Sequence, residues 1–366
     1  MNCQKKKKKV SVFYQLFYDI LILYYAGIGL RETIHEQIKD GDVQSLTEKQ
    51  YLVDRMAKYV ISSKAENTNR KYYQHFKRFK SFCATRGYCV KPASSIHVSI
   101  YLTHLLDSGV SYNVLSASLY SIKWVHSISG LTDPTTNSLV RSLMEAGKRL
   151  RSAPVKKKDT INSDMLKQLC DMYRDSDDIL HVRDITMIVL AYAGFLRFSE
   201  LSHLRCNDIE FKSDYVLLKI RRSKTDVYRA GKEVIIAKGS STACPYILLQ
   251  KYLKLTCQNN TSNKYLFRPV NRSKGRASLL SQDKQLSYTR ARECIIEKLK
   301  IVAPNLNLGT HSLRASGATV VANADSDGLN ERCLMRHGRW KSVISKNGYI
   351  DDSLEKRLNV TKKLKL

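Results

Sequence analysis

Residues 193–209 read AGFLRFSELSHLRCNDI. Just before them, roughly Ile179–Phe195 is an apolar run of the length and density expected of a buried helix. Arg197 therefore follows directly on a core element, with Glu200 three residues further on. On an open surface such an i,i+3 pair contributes only about a few tenths of a kcal/mol. Behind an apolar helix Arg197 is expected to be partly buried, and a buried guanidinium needs a dedicated anionic partner.

Working outward towards the C-terminus, Tyr215–Arg221 alternates and is rich in β-formers, and Glu233–Ala237 answers it. The connecting residues 222–232, RSKTDVYRAGK, are polar and contain Gly231, as expected of a hairpin, with Lys224 where the first strand ends. Helical patterns surround this strand pair: Met165–Tyr173 behind Ser163 as N-cap, Ala243–Cys257, Tyr288–Lys300, His311–Asn323 and Asn330–Arg336. In the opposite direction, residues 149–161, RLRSAPVKKKDTI, combine Pro154 with three consecutive lysines and read as a basic, extended boundary.

Upstream of that boundary the periodicity is helical throughout. Glu48–Ser63 carries Leu52, Met56, Val60 and Ile61 on one face. A second helix starts near Thr68, with Asn67 as its cap and Tyr72, Phe76, Phe79 and Cys83 as its stripe. Further helices are expected near His97–Leu106, Asn113–Ser129 and Thr136–Leu150. The fold class is therefore mainly α with a small antiparallel β-sheet, in two domains. The expected division is an extension over 1–46, a helical domain over 47–152, a basic linker over 153–160, a second domain over 161–360 and a basic tail over 361–366.

Charge narrows the partner. Lys and Arg number 62 against 33 Asp and Glu, a formal net charge of +29 over 366 residues. Such an excess favours a polyanion, most often nucleic acid. Arg70, Lys71, Lys77 and Lys123 on the helical domain, with Lys156, Lys157 and Lys158 of the linker, are candidate contacts to a DNA backbone. The nine cysteines are scattered, form no CxxC pair and suit a reduced compartment. Residues 10–30, VSVFYQLFYDILILYYAGIGL, follow the basic run Lys5–Lys9 but are interrupted by Gln15 and Asp19. They are read as a helical extension behind a run suited to nuclear import, with a membrane anchor as the minor alternative.

Two further stretches carry chemistry. Residues 310–320, THSLRASGATV, put His311 and Arg314 on one face of a helix start, where anions are already favoured. Residues 336–350, RHGRWKSVISKNGYI, hold Trp340 and, nine residues on, Tyr349. Each has a bland reading: Tyr349 is one of 21 tyrosines and Trp340 one of two tryptophans, at home in a core. The ordered set is more specific. Arg197, a hairpin Lys224, His311-x-x-Arg314, Trp340 and Tyr349 together resemble the tyrosine recombinase (phage integrase) family. The likeness is greatest to eukaryotic mobile-element forms with a GRWKS…GYI ending, and it covers about residues 48–360.

The resemblance implies an N-terminal core-binding (SAM-like) helical domain and a C-terminal catalytic domain, acting on double-stranded DNA as a homotetramer on synapsed duplexes; the basic run and the scattered cysteines make the nucleus the expected compartment. It assigns Arg197, Lys224, His311, Arg314, Trp340 and Tyr349 as catalytic. Most members have His where Trp340 stands, and an indole N–H also donates. His337, three residues earlier, is not given that role. The implied reaction uses no cofactor, metal or ATP: two guanidiniums fork onto phosphate oxygens where other enzymes use Mg²⁺. Leu354 and Leu358 in the tail (residues 353–366) suit a helix exchanged between copies, and the lysines of the tail equally suit a nuclear-import signal or a solvated end. The alternatives are an inactive DNA-binding protein on the same fold, a type IB topoisomerase and a membrane-anchored interaction protein.

Overall fold

The computed structural model describes residues 46–152, 156–223, 226, 231–273, 276–324 and 330–363. Lys5–Lys9, the apolar stretch 10–30 and Lys224 lie outside the described residues. The chain divides between Val155 and Lys156 into two compact units.

The first unit contains α1 (Leu46–Ser62), α2 (Glu66–Ala84), α3 (Ser95–Asp107), α4 (Tyr112–Ile128) and α5 (Ser138–Arg151). Phe79, Phe82 and Cys83 of α2, Val98, Tyr101 and Leu102 of α3, Leu115 and Ile122 of α4 and Val140 of α5 form its core. Buried polar groups are paired: His75 Nδ1 meets Ser118 Oγ at 3.0 Å, and His126 accepts from the Ala93 N–H at 2.9 Å. Two expectations need correction. The cap position of α2 is Ala65, so Asn67 lies inside the first turn. The apolar positions of α1 do not all face the core, because Leu52 and Met56 are exposed. Helical spacing establishes that a face exists and not that the same unit covers it.

The second unit is organised around α7 (Ile179–Ala193), in which every residue from Val182 to Ala191 is buried. Such complete burial requires covering on all sides, and α6 (Ser163–Met172), α9 (Pro245–Leu255), α10 (Tyr288–Val302) and α11 (Thr310–Asn323) supply it. Asn162, not Ser163, caps α6, its side chain accepting from the Met165 N–H. The short α8 (Phe198–His203) follows α7, and the chain then enters an antiparallel sheet of order β1 (Ile209–Phe211), β2 (Tyr215–Ile220), β3 (Lys232–Ala237). Tyr215 pairs with Ala237 and Ile220 with Lys232. Val216, Leu218 and Ile220 on β2 and Val234 and Ile236 on β3 point into the core, the period-2 pattern that the sequence carries. A second hairpin, β4 (Val270–Ser273) with β5 (Arg276–Leu279), was not anticipated.

The remaining elements are α12 (Glu331–Gly338), α13 (Val343–Asn347) and α14 (Leu354–Lys362), on which Leu354 and Leu358 are exposed. No described helix is long and apolar enough to cross a membrane.

Packing of α11 on α7 depends on one missing side chain. A Cβ at Gly317 would lie 2.4 Å from the Tyr192 carbonyl oxygen and 2.6 Å from the Phe195 ring. Backbone cannot yield as a side-chain tip does, so Gly317→Ala is predicted to destabilise this unit by ~1–3 kcal/mol, the usual cost of overpacking. Urea unfolding of the variant against the parent checks it; an unchanged midpoint refutes the close approach.

Candidate active site

The site begins where α7 stops. Gly194 closes the helix, Phe195 takes a left-handed backbone (φ 46°), and the chain turns at once into α8. A phenylalanine in that region costs free energy that glycine would not. Its buried ring compensates by packing on His337 (4.7 Å between centroids) and Trp340 (6.0 Å). The turn leaves the carbonyls of Ala193, Gly194 and Phe195 pointing away from the helix, without the intrahelical partners they would have mid-helix. Cationic or N–H donors from later in the chain take all three.

Arg197 occupies the N-cap position of α8, and Glu200 the third position of its first turn. The Glu200 carboxylate is buried and accepts from the Arg197 backbone N–H (2.9 Å), Arg197 Nη1 (2.7 Å), Ser223 Oγ (2.8 Å) and Arg339 Nη2 (2.8 Å). Burial alone pushes a carboxyl pKa up. Here the Arg339 and Arg197 charges and hydrogen bonds outweigh it and hold Glu200 down at about 2. Glu200 is thus an anion at neutral pH. Ser223, the residue before Lys224, also takes a 3.2 Å bond from Arg197 Nη1.

Arg314 comes from the second turn of α11 and is wholly buried. It donates to the carbonyls of Phe195 and Gly338, and its guanidinium carbon lies 4.8 Å from the Trp340 ring centroid and 4.9 Å from that of Tyr349. Burial lowers its pKa to about 10, with Arg197 and Arg339 adding in the same direction, so it stays charged at neutral pH. Its Nε, like the Trp340 indole Nε1, is buried without a hydrogen-bond partner among the described residues. With Arg339 Nε, equally buried and without a partner, three such donors in one pocket are acceptor-seeking groups.

Tyr349 follows α13 and is half-buried, its ring 5.9 Å from that of Trp340. Thr319 of α11 ties its backbone down, donating to the Tyr349 carbonyl (3.3 Å) and accepting from the Asp351 N–H (3.1 Å). His311 is exposed on the first turn of α11, one turn ahead of Arg314. His337 bonds the Ala193 carbonyl through Nε2 at 2.8 Å; burial lowers its pKa, so the neutral ring donates there. Among the sequence candidates, the structure thus brings Arg197, Arg314, Trp340 and Tyr349 to one place. Three lysines of the expected linker belong to the second unit: Lys156 is exposed, Lys157 pairs with Asp351 (2.9 Å) and Lys158 bonds Asn307. In the first unit Lys71 and Lys77 are exposed, Arg70 pairs with Glu66 and Lys123 with Asp133.

The sequence reading missed Arg339. It is the residue between Gly338 and Trp340, buried, with a left-handed backbone (φ 55°). Its four contacts are to Glu200, to the Phe195 carbonyl (2.8 Å), to Gly194 (3.1 Å) and to His337 (2.6 Å). The only signal was an additional arginine inside GRWKS. Two guanidiniums, Arg197 and Arg339, pair with one carboxylate, and a third, Arg314, shares the Phe195 carbonyl with Arg339, which leaves two net positive charges in a largely buried pocket. Such a pocket is suited to a doubly charged anion or to a transition state that gains charge.

A pKa held below its ordinary value means that Glu200 stabilises the fold above about pH 4.5 and loses that contribution as pH falls towards 2. Roughly 3 kcal/mol is involved, from about 1.4 kcal/mol per unit. Glu200→Gln is accordingly predicted to be destabilising at pH 7, with the difference from the parent shrinking as pH falls from 4.5 towards 2. Urea midpoints across that range test it; a gap constant with pH excludes the ion-paired state.

Comparison with known proteins gives the family. Residues 159–355, just over half of the chain, match the phage integrase family. The chain is 29% identical over 296 residues to an integrase/recombinase XerD homolog of Selenomonas ruminantium, covering 79% of this chain and 82% of that protein. It is 26% identical over 275 residues to the recombinase Cre of Escherichia phage P1, covering 71% and 76%. Its fold is similar to the crystal structure of the XerH site-specific recombinase bound to palindromic difH substrate, with a TM-score of 0.55 at 13% identity over 94% of this chain and 96% of that one. With the family match spanning most of the second unit and the two-domain layout shared with a solved recombinase, the chain belongs to the phage integrase family, the tyrosine recombinases.

Proposed function

We propose that the protein breaks and rejoins double-stranded DNA through a 3′-phosphotyrosyl intermediate, as the recombinase or integrase of a mobile element acting in the nucleus. The observation that carries this reading is the contact of Arg314 with the Tyr349 ring, within a charge network that reaches Arg197 through Arg339 and Glu200.

In this reading the Tyr349 oxygen attacks phosphorus, the P–O5′ bond breaks, and a 5′ hydroxyl leaves. Arg197 and Arg314 hold the two non-bridging oxygens as charge builds on them. Trp340 donates its indole N–H to the same phosphate, and His311 hydrogen-bonds it or moves a proton. Lys224 protonates the departing O5′. The phosphotyrosyl linkage conserves the bond, so attack by a different 5′ hydroxyl reseals the strand without ATP. Recombination needs two duplexes, for which four copies assemble, with α14 as the exchanged segment. Residues 47–152 form the core-binding domain, in which Arg70, Lys71, Lys77 and Lys123 face phosphates, and 161–360 the catalytic domain. Lys156, Lys157 and Lys158 cross the DNA backbone.

Two outcomes are expected. On nicked duplexes the parent protein forms an adduct stable in detergent, Tyr349→Phe forms none, and Arg314→Ala forms it ~100–1000-fold more slowly; an adduct that persists in Tyr349→Phe refutes the assignment. Binding to a generic duplex weakens steeply with salt, and Lys71→Ala and Lys77→Ala each reduce the slope of log K against log salt by about 0.9. Unchanged slopes in fluorescence anisotropy titrations remove these lysines from the interface.

A further inference from the structure

We infer that Arg339 is a positioning residue for the reaction, the shared anchor that sets both Arg197 and Arg314 against the scissile phosphate; the inference rests on the recombinase reading above. The two phosphate-binding arginines have separate local partners, Ser223 for Arg197 and the Gly338 carbonyl for Arg314, but each also has one anchor that Arg339 holds. Arg197 is held by Glu200, and the other oxygen of that carboxylate is held by Arg339 at 2.8 Å. Arg314 is held by the carbonyls of Phe195 and Gly338. The first of these also accepts from Arg339, and the second belongs to the residue just before it. One guanidinium thus meets both arginines through their anchors.

Its charge matters as well as its geometry. If Glu200 faced Arg197 alone, a 2.7 Å ion pair would leave little positive charge for a phosphate. Arg339 divides the carboxylate between two cations, so Arg197 retains part of its field. The backbone contributes too. With Arg339 in the left-handed region, the chain reverses tightly enough for the Trp340 N–H to bond the Met335 carbonyl at 3.1 Å, which sets the indole beside Arg314 and Tyr349. A lysine offers one point of attachment where the guanidinium fork serves a carboxylate and three carbonyls.

The test uses the full-length protein and a pool of nicked duplexes with randomised sequence, from which the parent protein selects its own substrate as detergent-stable adducts. Single-turnover cleavage of the selected duplex is then compared for the parent, Arg339→Lys and Arg339→Gln, alongside duplex affinity and thermal unfolding. Each is repeated on a duplex whose scissile phosphate is a methylphosphonate, in which one charged oxygen is a methyl group. Both variants are expected to bind the duplex within about twofold of the parent and to cleave it ~10–100-fold more slowly, the range for displaced catalytic groups. On the methylphosphonate the deficit should shrink, because fewer charges await the misplaced arginines.

Two results overturn the assignment: cleavage at the parental rate by either folded variant, or equal deficits on both substrates, which marks a role in the fold alone. If Arg339→Lys does not fold, Arg339→Gln decides the question by the same comparison. Failure of the parent to capture any duplex through Tyr349 is a different result. It removes the recombinase reading itself and this assignment with it, whereas a capturing parent matched by its variants removes Arg339 alone.

Discussion

A helix that ends inside a protein leaves carbonyl oxygens that water cannot reach, and this second unit is built around satisfying three of them. The last turn of α7 presents Ala193, Gly194 and Phe195 to the interior, at the end of the helix where the backbone dipole is negative. His337, Arg339 and Arg314 come from parts of the chain more than a hundred residues away and meet them there. The same donors define the pocket. What stabilises the helix end therefore also assembles the chemistry, and the high cost of leaving such groups unpaired makes the arrangement specific.

Electrostatics explains why a cluster of arginines is tolerated at all. Like charges brought together out of water repel, and the burial of Arg314 lowers its pKa to about 10. Glu200 offsets part of this for Arg197 and Arg339, and the aromatic faces of Trp340 and Tyr349 offset part for Arg314. The residual positive charge suits the pocket to an anion. Preorganisation of this kind is effective because the donors need not reorient when charge develops on the reacting group.

Much of this was legible in the sequence wherever the signal was local. The apolar run of α7, the alternation in β2 and β3 and the spacing of His311 with Arg314 follow from short-range geometry, whereas Trp340 and Tyr349 stood out only through the family resemblance. The expected burial of Arg197 and its dependence on an acidic partner came from its neighbours alone, and Glu200 is that partner. Arg339 was missed because its meaning lies in backbone carbonyls 144 or more residues earlier, and carbonyls leave no trace in a sequence. The caps of α2 and α6 were each misplaced: Asn162 and Ser163 have similar capping ability and only backbone angles choose between them, while Ala65 begins α2 with no side-chain cap bond that its sequence could signal. The exposure of Leu52 and Met56 was illegible for another reason: periodicity marks a face without saying what covers it.

The socket at the end of α7 also determines what kinds of genetic change this protein tolerates. Its contacts are to main-chain oxygens, so side chains in that last turn are constrained by packing rather than by recognition. Inserting or deleting a single codon within the helix is a different matter. Each residue advances an α-helix by about 100°, which would turn the terminal oxygens away from histidine and both guanidiniums at once. Drift by substitution and failure by an in-frame change of length are thereby decoupled, and the spacing from Val182 to Arg197 is a stretch with no slack.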